Sequence, residues 1–399
     1  MPTLTEYSTL TLPLAAAHLP ALRRLISHLP ATALTLDADF TPGHVRLTAG
    51  PWVGLLPLPT GDTLHLTPRW PLPAVLQRLA ELYLPPAPAH VALPPTPIPP
   101  TSATLPGWLS TMVTAFCAAA DTTRRYGVRR PRQPETTTGQ RPTGRLDLTA
   151  SLHHQARHPT EHVYTITRPT LNTPENRRIA HAATRALAAP DLPPTLRARL
   201  RDVLTAFGGP PAAPPDPAPI AIHRLNQHYR PALALADLLI NHLLPTTAPG
   251  KMPTHAFLIH LPWLFERTLA HILRTAAPDL NLRIAEQERH PFDLARSHTL
   301  RPDLVIYRGP DLVLVLDAKY KPTPDPADLY QVLAYCQSLN LRQAALVYPA
   351  LPGADPLPPL TLASGITLHR LTLDLAAPDF PAERQRLLAT LLPLLTLAQ

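Results

Sequence analysis

RPDLVIYRGPDLVLVLDAKYKP (301–322) is the stretch on which the fold turns. Two apolar runs, LVIY and LVLVL, flank the turn signal Arg308-Gly309-Pro310, so the spacing predicts an antiparallel hairpin. Side chains alternate across a strand, which puts Asp317 and Lys319 on one face and points Ala318 away. Pairing of the two strands brings Asp303 beside Asp317. The hairpin therefore gathers two carboxylates and an ammonium at the end of otherwise apolar strands.

Carboxylates at short range repel each other and call for a cation. Hard oxygen donors without Cys or His suit Mg2+, with Mn2+ as a substitute. Asp303 and Asp317 are the expected metal ligands, with the Ala318 carbonyl as a further donor. Such a set suits phosphodiester hydrolysis, in which Lys319 orients the attacking water and neutralises the phosphate. The bland alternative is a surface ion pair at a strand terminus, because a bare D-x-K is common. Against it stands the scarcity of lysine: the chain has only Lys251, Lys319 and Lys321, and two of the three lie in this hairpin.

The pattern of Pro302-Asp303, thirteen intervening residues, and Asp317-Ala318-Lys319 resembles the PD-(D/E)XK nuclease motif. In that resemblance Asp303 is the first acid, Asp317 the second and Lys319 the lysine. Gln331, on the next helix beside Tyr330, matches the glutamine that often follows in the superfamily. Glu266, on the helix before the strands, matches an additional metal-facing acid; a solvated helix glutamate is the alternative. Tyr330 and Tyr335 read as packing or rim residues.

Composition bounds the rest. At 399 residues the chain exceeds the ~250–300 residues at which a single core stops growing, so more than one domain is expected. Apolar residues are 45% and charged residues 16%, which argues against wholesale disorder. The 55 prolines are nearly three times the usual share of about 5%. A net charge of +8 and a pI near 9.8 favour an anionic partner, although 33 of the 36 basic residues are arginine and a coding bias alone produces that. Two cysteines, Cys117 and Cys336, cannot build a disulfide framework and read as core thiols. The opening MPTLTEYSTL has neither a basic start nor an apolar core, and no uncharged apolar run reaches about 18 residues. A soluble cytoplasmic protein with no membrane partner is expected. No GxxxxGK[ST] occurs, so no nucleotide is expected on this chain.

Along the chain, 44–68 reads as short antiparallel strands around Ala49-Gly50-Pro51 and Thr60-Gly61-Asp62, followed by a helix over 72–84. Residues 85–106 are a proline-rich connector. A helix is expected over 107–126 and a polar loop over 127–143. GRLDLTASLHHQ (144–155) followed by HVYTITRP (162–169) gives a strand, with Gly144–Asp147 a strand entry carrying an ion pair. Thr173 caps a helix that starts at Pro174 and has Glu175 in its first turn. Helices follow over 192–209 and 227–244, separated by a linker-like stretch at 210–219. HAFLIHLPWLFERTLAHILRTAAP (255–278) reads as one helix, followed by strands, the helix DLYQVLAYCQSL and two further strands. This order is mixed α/β.

Several further segments, taken in order, resemble McrC, the nuclease-subunit family of modified-cytosine-dependent restriction systems. They are AGPWVGLLPLPTGDTLHLTPRW (49–70), the stretch from YGVRRPRQPE through TGRLDLTASLHHQARHP (126–159), LNTPENRRIAHAATRAL (171–187), IHRLNQHYRPALALADLLI (222–240), FLIHLPWLFERTLAHILR (257–274) and DLYQVLAY (328–335). The resemblance implies an α+β protein with a β-rich N-terminal partner-binding region (1–84), the connector (85–106), a mixed middle region (107–245) and a C-terminal restriction-endonuclease-like PD-(D/E)XK α/β domain (246–399). It implies Mg2+-dependent cleavage of double-stranded, methylated DNA, together with docking to and stimulation of a McrB-like hexameric AAA+ GTPase. The proline-rich 85–106 departs from the pattern and leaves the docking geometry open. The alternatives are a non-catalytic activator of a partner NTPase, a stand-alone nuclease, and a different motor partner.

Other residues carry milder readings. Asn172, Glu175, Asn176 and Arg177 read as a capping and hydrogen-bond cluster, with DNA or interdomain contact second. Arg224, His228, Tyr229 and Arg230 could meet phosphates, but in this composition exposed arginines are mostly solvated surface. His153, His154 and His158 show no cysteine or carboxylate spacing for zinc.

Overall fold

The computed structural model describes residues 1–37, 43–83, 104–246, 254–293, 295, 297–321, 325–350 and 358–396. Residues 85–103 of the expected connector lie outside them. The helix beyond it begins at Leu105, where the Thr104 side chain accepts a hydrogen bond from Gly107 N at 3.3 Å.

The quoted stretch forms the hairpin at the centre of a six-stranded sheet. Leu304–Arg308 pairs antiparallel with Asp311–Ala318, in a register that sets Leu304 opposite Leu316. Gly309 takes the turn at φ +61°, a left-handed conformation that glycine adopts without a Cβ clash. Arg283–Glu286 pairs antiparallel outside the first strand. On the other side Asp311–Ala318 pairs parallel with Gln343–Pro349, which pairs parallel with Thr367–Leu373; Leu360–Thr361 closes the edge. The parallel step crosses through the helix Pro326–Ser338.

The apolar run LVLVL is consistent with a central strand covered on both faces. Val305, Val315 and Leu346 meet Val332, Tyr335 and Cys336 of the Pro326–Ser338 helix. Leu304, Ile306, Leu314 and Leu316 face the large core, which holds Leu264, Phe265 and Leu269 of the helix Leu261–Ala276 and Leu387 and Leu391 of Phe380–Thr396. The result is a helix–sheet–helix layering.

A second sheet has five strands in the order Thr3–Thr5, Thr63–Thr67, Trp52–Pro57, Thr254–His260 and Leu243–Thr246. It crosses the expected segment boundaries, because Trp52–Pro57 pairs antiparallel with Thr254–His260. Gly54 makes the approach possible: a Cβ there would lie 1.8 Å from the Phe257 carbonyl oxygen. Thr9–Pro13, His44–Ala49 and Leu34–Leu36 form a third, three-stranded sheet that shares a core with the helix Leu19–His28. Between these parts pack Leu72–Tyr83, Leu105–Tyr126, Pro174–Leu187, Pro194–Ala206 and Arg230–His242, whose apolar faces belong to the large core.

Three local expectations are corrected. The expected loop over 127–143 contains the strand Arg132–Gly139, which pairs antiparallel with His162–Pro169. Its threonine run supplies β-branched residues to a ladder that the polar composition conceals. The expected helix over 255–278 starts only at Leu261, with Pro262 in its first turn; Ala256–Ile259 is buried strand. A run of apolar residues reads alike in a buried strand and a buried helix, and the sheet partner decides between them. Within the stretch from 144 that reads as strand, Arg145–Leu146 and His162–Pro169 are strand and Leu148–Gln155 is helix. Asp147 makes no ion pair among the described contacts; it caps the helix Leu148–Gln155, accepting from Ala150 N at 2.9 Å.

Among the described residues no helix is long and apolar enough to cross a membrane.

Candidate active site

The hairpin delivers its polar residues to one end. Because Leu304 sits opposite Leu316, Asp303 comes level with Asp317. The Asp303 side chain continues the ladder, its Oδ2 accepting from Ala318 N at 2.8 Å. Lys319 N bonds to Val347 O at 2.8 Å, which fixes the lysine backbone on the neighbouring parallel strand. The Lys319 ammonium then lies against Asp317 Oδ2 and donates to Gln331 Oε1 at 2.8 Å. Asp303, Asp317, Lys319 and Gln331 are thus brought together.

Glu266 joins them through a residue the sequence reading passed over. Gln287 Nε2 donates to Glu266 Oε1 and to Asp303 Oδ1, each at 2.8 Å. Gln287 follows the strand Arg283–Glu286 and has φ +51°, an uncommon left-handed conformation for a residue with a Cβ. Its backbone N–H bonds to Asp303 O at 3.0 Å. The only sequence signal would have been its place just after the strand that pairs with the hairpin.

Asp328 was also missed. It is buried and accepts from Lys321 Nζ at 2.8 Å, with Lys319 Nζ 3.9 Å away. It also shares the capping box of its helix with Asp325. Gln331 in turn donates to Tyr335 OH at 2.6 Å, so Tyr335 is a buried support, whereas Tyr330 is exposed.

Burial dominates the electrostatics. Asp317 is only 1% exposed. Its carboxyl is raised above the usual range, first by burial and then by the Asp303 charge; Lys319 opposes both. Asp303 and Glu266 are raised as well, each chiefly by burial, with the Asp303 charge adding to Glu266. The buried Asp317 Oδ2 is held by the Lys319 ammonium. Three carboxylates in one largely buried cluster carry more negative charge than the single Lys319 ammonium offsets. The donors are all oxygens, so the residues fit a hard divalent cation such as Mg2+. Asp303, Glu266 and Lys319 are half-buried, so the cluster opens to the surface. Exposed Arg301 lies beside it, its Nε donating to Gln287 O at 3.2 Å.

The Asn172–Arg177 segment is structural. Thr173 caps the helix by accepting from Asn176 N at 3.2 Å. Asn176 donates to Arg129 O and Leu171 O, each at 2.9 Å, and accepts from Tyr229 OH at 2.8 Å. Glu175 pairs with Arg129 and accepts from Asn226 Nδ2 at 3.0 Å. Of the residues suggested for phosphate contact, Tyr229 is therefore in the core, and the His228 ring bonds to Gly127 O at 3.0 Å. Cys117 and Cys336 are both buried free thiols.

A carboxylate-and-lysine cluster at the end of a mixed sheet, which shares a core with a second sheet reaching to the N-terminal region, defines a multi-part α+β protein. The chain belongs to the family described as McrBC 5-methylcytosine restriction system component, which matches over residues 47–349. Among solved structures, the chain is similar to one in a refined half-complex from a tetradecameric assembly of Thermococcus gammatolerans McrB AAA+ hexamers with bound McrC. The two share 15% identity, with 98% of this chain and 99% of that chain covered and a TM-score of 0.57. That likeness shows a shared fold. A chain in the cryo-EM structure of the Thermococcus gammatolerans McrBC complex is matched at 16% identity over 68% of this chain and 87% of that one, with a TM-score of 0.40. No curated protein matches.

Proposed function

We propose that this chain is the DNA-cutting subunit of a modification-dependent restriction system: an Mg2+-dependent endonuclease of the PD-(D/E)XK type that acts when assembled with an AAA+ GTPase partner and stimulates it. The observation that carries this reading is the convergence of Asp303, Asp317, Glu266 and Lys319, with Asp317 buried and its carboxylate held by the Lys319 ammonium. The partner reading is supported by the family membership and by the likeness to a chain from McrB AAA+ hexamers with bound McrC.

In this function Asp303 and Asp317 hold Mg2+, with Mn2+ as a substitute, and Glu266 adds an outer acid. Bound there, the cation supplies charge neutralisation and Lewis acidity at the scissile phosphate. Lys319 turns from Asp317 toward the phosphate, neutralises it and orients the attacking water. Gln331, bound to the lysine ammonium, limits its swing. Arg301 meets a neighbouring phosphate. The chain has no phosphate-binding loop, so nucleotide hydrolysis falls to the partner, and the assembly works in the cytoplasm.

The test is Mg2+-dependent nicking of methylated plasmid by the chain with its partner, alongside partner GTPase activity. Asp317→Ala and Lys319→Ala should each lower cleavage by about a thousandfold or more while GTPase stimulation persists. Equal cutting by wild type and Asp317→Ala would refute the assignment. GTPase stimulation with no cutting under any condition would instead identify a non-catalytic activator. Robust cutting without a partner would identify a stand-alone nuclease.

A further inference from the structure

The segment from Arg132 to Pro169 is a small unit of its own: the strands Arg132–Gly139, Arg145–Leu146 and His162–Pro169, with the helix Leu148–Gln155 against them. It has almost no interior. Across residues 132–169 only Ser151, Val163 and Tyr164 are buried, and Ser151 is there to exchange hydrogen bonds with the Val163 backbone at 2.8 and 3.1 Å. Units this short bury too little apolar surface to hold themselves and usually depend on a disulfide, a metal or a partner. The two cysteines of the chain, Cys117 and Cys336, both lie elsewhere.

The chain places metal-ligating side chains where such a staple is needed. His154 lies in the last turn of the helix, and His158 follows one turn later, its N–H bonded to His154 O at 3.0 Å. A further turn, closed by Glu161 N to His158 O at 3.1 Å, brings Glu161 to the start of the strand His162–Pro169. His154 Nε2 stands 2.9 Å from Glu161 Oε2, and the His154 and His158 rings stack at 4.7 Å. One ligand atom from each of the three lies within 4.8 Å of the others. The carboxylate missing from the histidine spacing in sequence is therefore supplied by the fold. Beside the cluster, Gln155 Nε2 and His162 Nδ1 lie 3.1 Å apart and join the same two elements.

We propose that His154, His158 and Glu161 bind one Zn2+-class transition-metal ion, which pins the end of the Leu148–Gln155 helix to the strand His162–Pro169. Two imidazole nitrogens and a carboxylate oxygen suit Zn2+ at bond lengths of about 2.0–2.2 Å and are a poor match for Mg2+, which takes oxygen donors. Small rotations of three half-buried or exposed side chains draw the donors together. A fourth position faces solvent and takes a water. The binding energy enters the stability of the unit directly, because the unfolded segment presents no preformed site.

The test uses the full chain carrying Asp303→Asn and Asp317→Asn, so that the acidic cluster contributes no second divalent site; the outcome is thus independent of the nuclease reading. Equilibrium dialysis with Zn2+ alone should show one equivalent bound, and hydrogen exchange of residues 145–169 should slow when Zn2+ is added. Adding His158→Ala removes a ligand whose ring stacks on His154, and Glu161→Gln removes the carboxylate. Each should weaken Zn2+ binding by about a hundredfold or more, since even the outer partners of ligands are worth ten- to a hundredfold. Cobalt substitution should give the absorption of a low-coordinate site with nitrogen and oxygen donors, lost in both variants. No Zn2+ binding, or binding unchanged by both substitutions, would overturn the proposal. Binding that leaves the exchange of residues 145–169 unaltered would overturn the staple role.

Discussion

Tyr320 OH stands 3.0 Å from each carboxylate oxygen of Glu6, across 314 positions of chain. Glu6 is 2% exposed and also accepts from Arg69 N at 2.8 Å. The Tyr320 ring packs against Trp70 and Phe265. Tyr320 directly follows Lys319, and Phe265 directly precedes Glu266. The beginning of the chain therefore braces two of the backbone segments that carry the acidic site.

Removing that brace should cost both stability and cleavage. Tyr320→Phe leaves a buried carboxylate short of a donor, a loss of about 1–3 kcal/mol. Urea unfolding would register the loss, and plasmid nicking with the partner present should fall because Lys319 is less firmly placed. Glu6→Gln, which retains an acceptor for the tyrosine, should be milder on both counts. Unchanged stability and unchanged nicking in Tyr320→Phe would mean that the contact braces nothing.

Gln287 holds Glu266 and Asp303 with one amide group. Gln287→Ala frees both carboxylates, so the Mg2+ concentration for half-maximal cleavage should rise about tenfold, in line with the loss of an outer partner of a ligand. Cleavage at saturating Mg2+ should stay close to wild type. A Mg2+ titration of nicking rates distinguishes this from a general loss of activity.

Burial raises the carboxyls of Asp317, Asp303 and Glu266 above their unfolded values. Between the unfolded and folded pKa the native state holds more protons than the unfolded state, so these groups make stability fall as pH rises through that window. In EDTA, wild type should lose stability relative to Asp317→Asn as the pH goes from below the ordinary carboxylate range to neutral. Added Mg2+ should reverse the trend in wild type alone. Thermal melts of both proteins across that range, with and without Mg2+, check the sign.

Gly54 lets Trp52–Pro57 lie against Thr254–His260. In Gly54→Ala the Cβ meets the Phe257 carbonyl, a rigid backbone atom, so the strands must part; destabilisation by about 3 kcal/mol is expected. Gly61, whose Cβ would meet nothing within 4 Å, makes a matched comparison, since its +95° φ imposes strain without a clash. Denaturant midpoints should rank Gly54→Ala as the less stable of the two.

Much of the acidic site was legible because it is local. Asp303, Asp317 and Lys319 lie within one hairpin, and the period of two along a strand, together with a glycine turn, sets which side chains meet. The helix at Pro174 was legible for the same reason: Thr173 and Pro174 announce its start within consecutive positions. Gln287 and Asp328 escaped notice because nothing near them in sequence marks them. Each acquires its role only when a separate strand or helix is laid beside the hairpin.

By itself the sequence determined the hairpin, its acid–acid–lysine end and most helix boundaries, since these follow from alternation, caps and turns a few residues apart. Tertiary structure alone decided that 254–260 is a strand, that the N-terminal sheet and the sheet of the acidic site share one large core, and that Glu6 reaches Tyr320. Those outcomes depend on which surfaces bury one another. Burial is a property of the assembled chain: an apolar run carries the same side chains whether a helix or a neighbouring strand covers it, and a carboxylate shows no partner until distant backbone brings one within hydrogen-bonding reach.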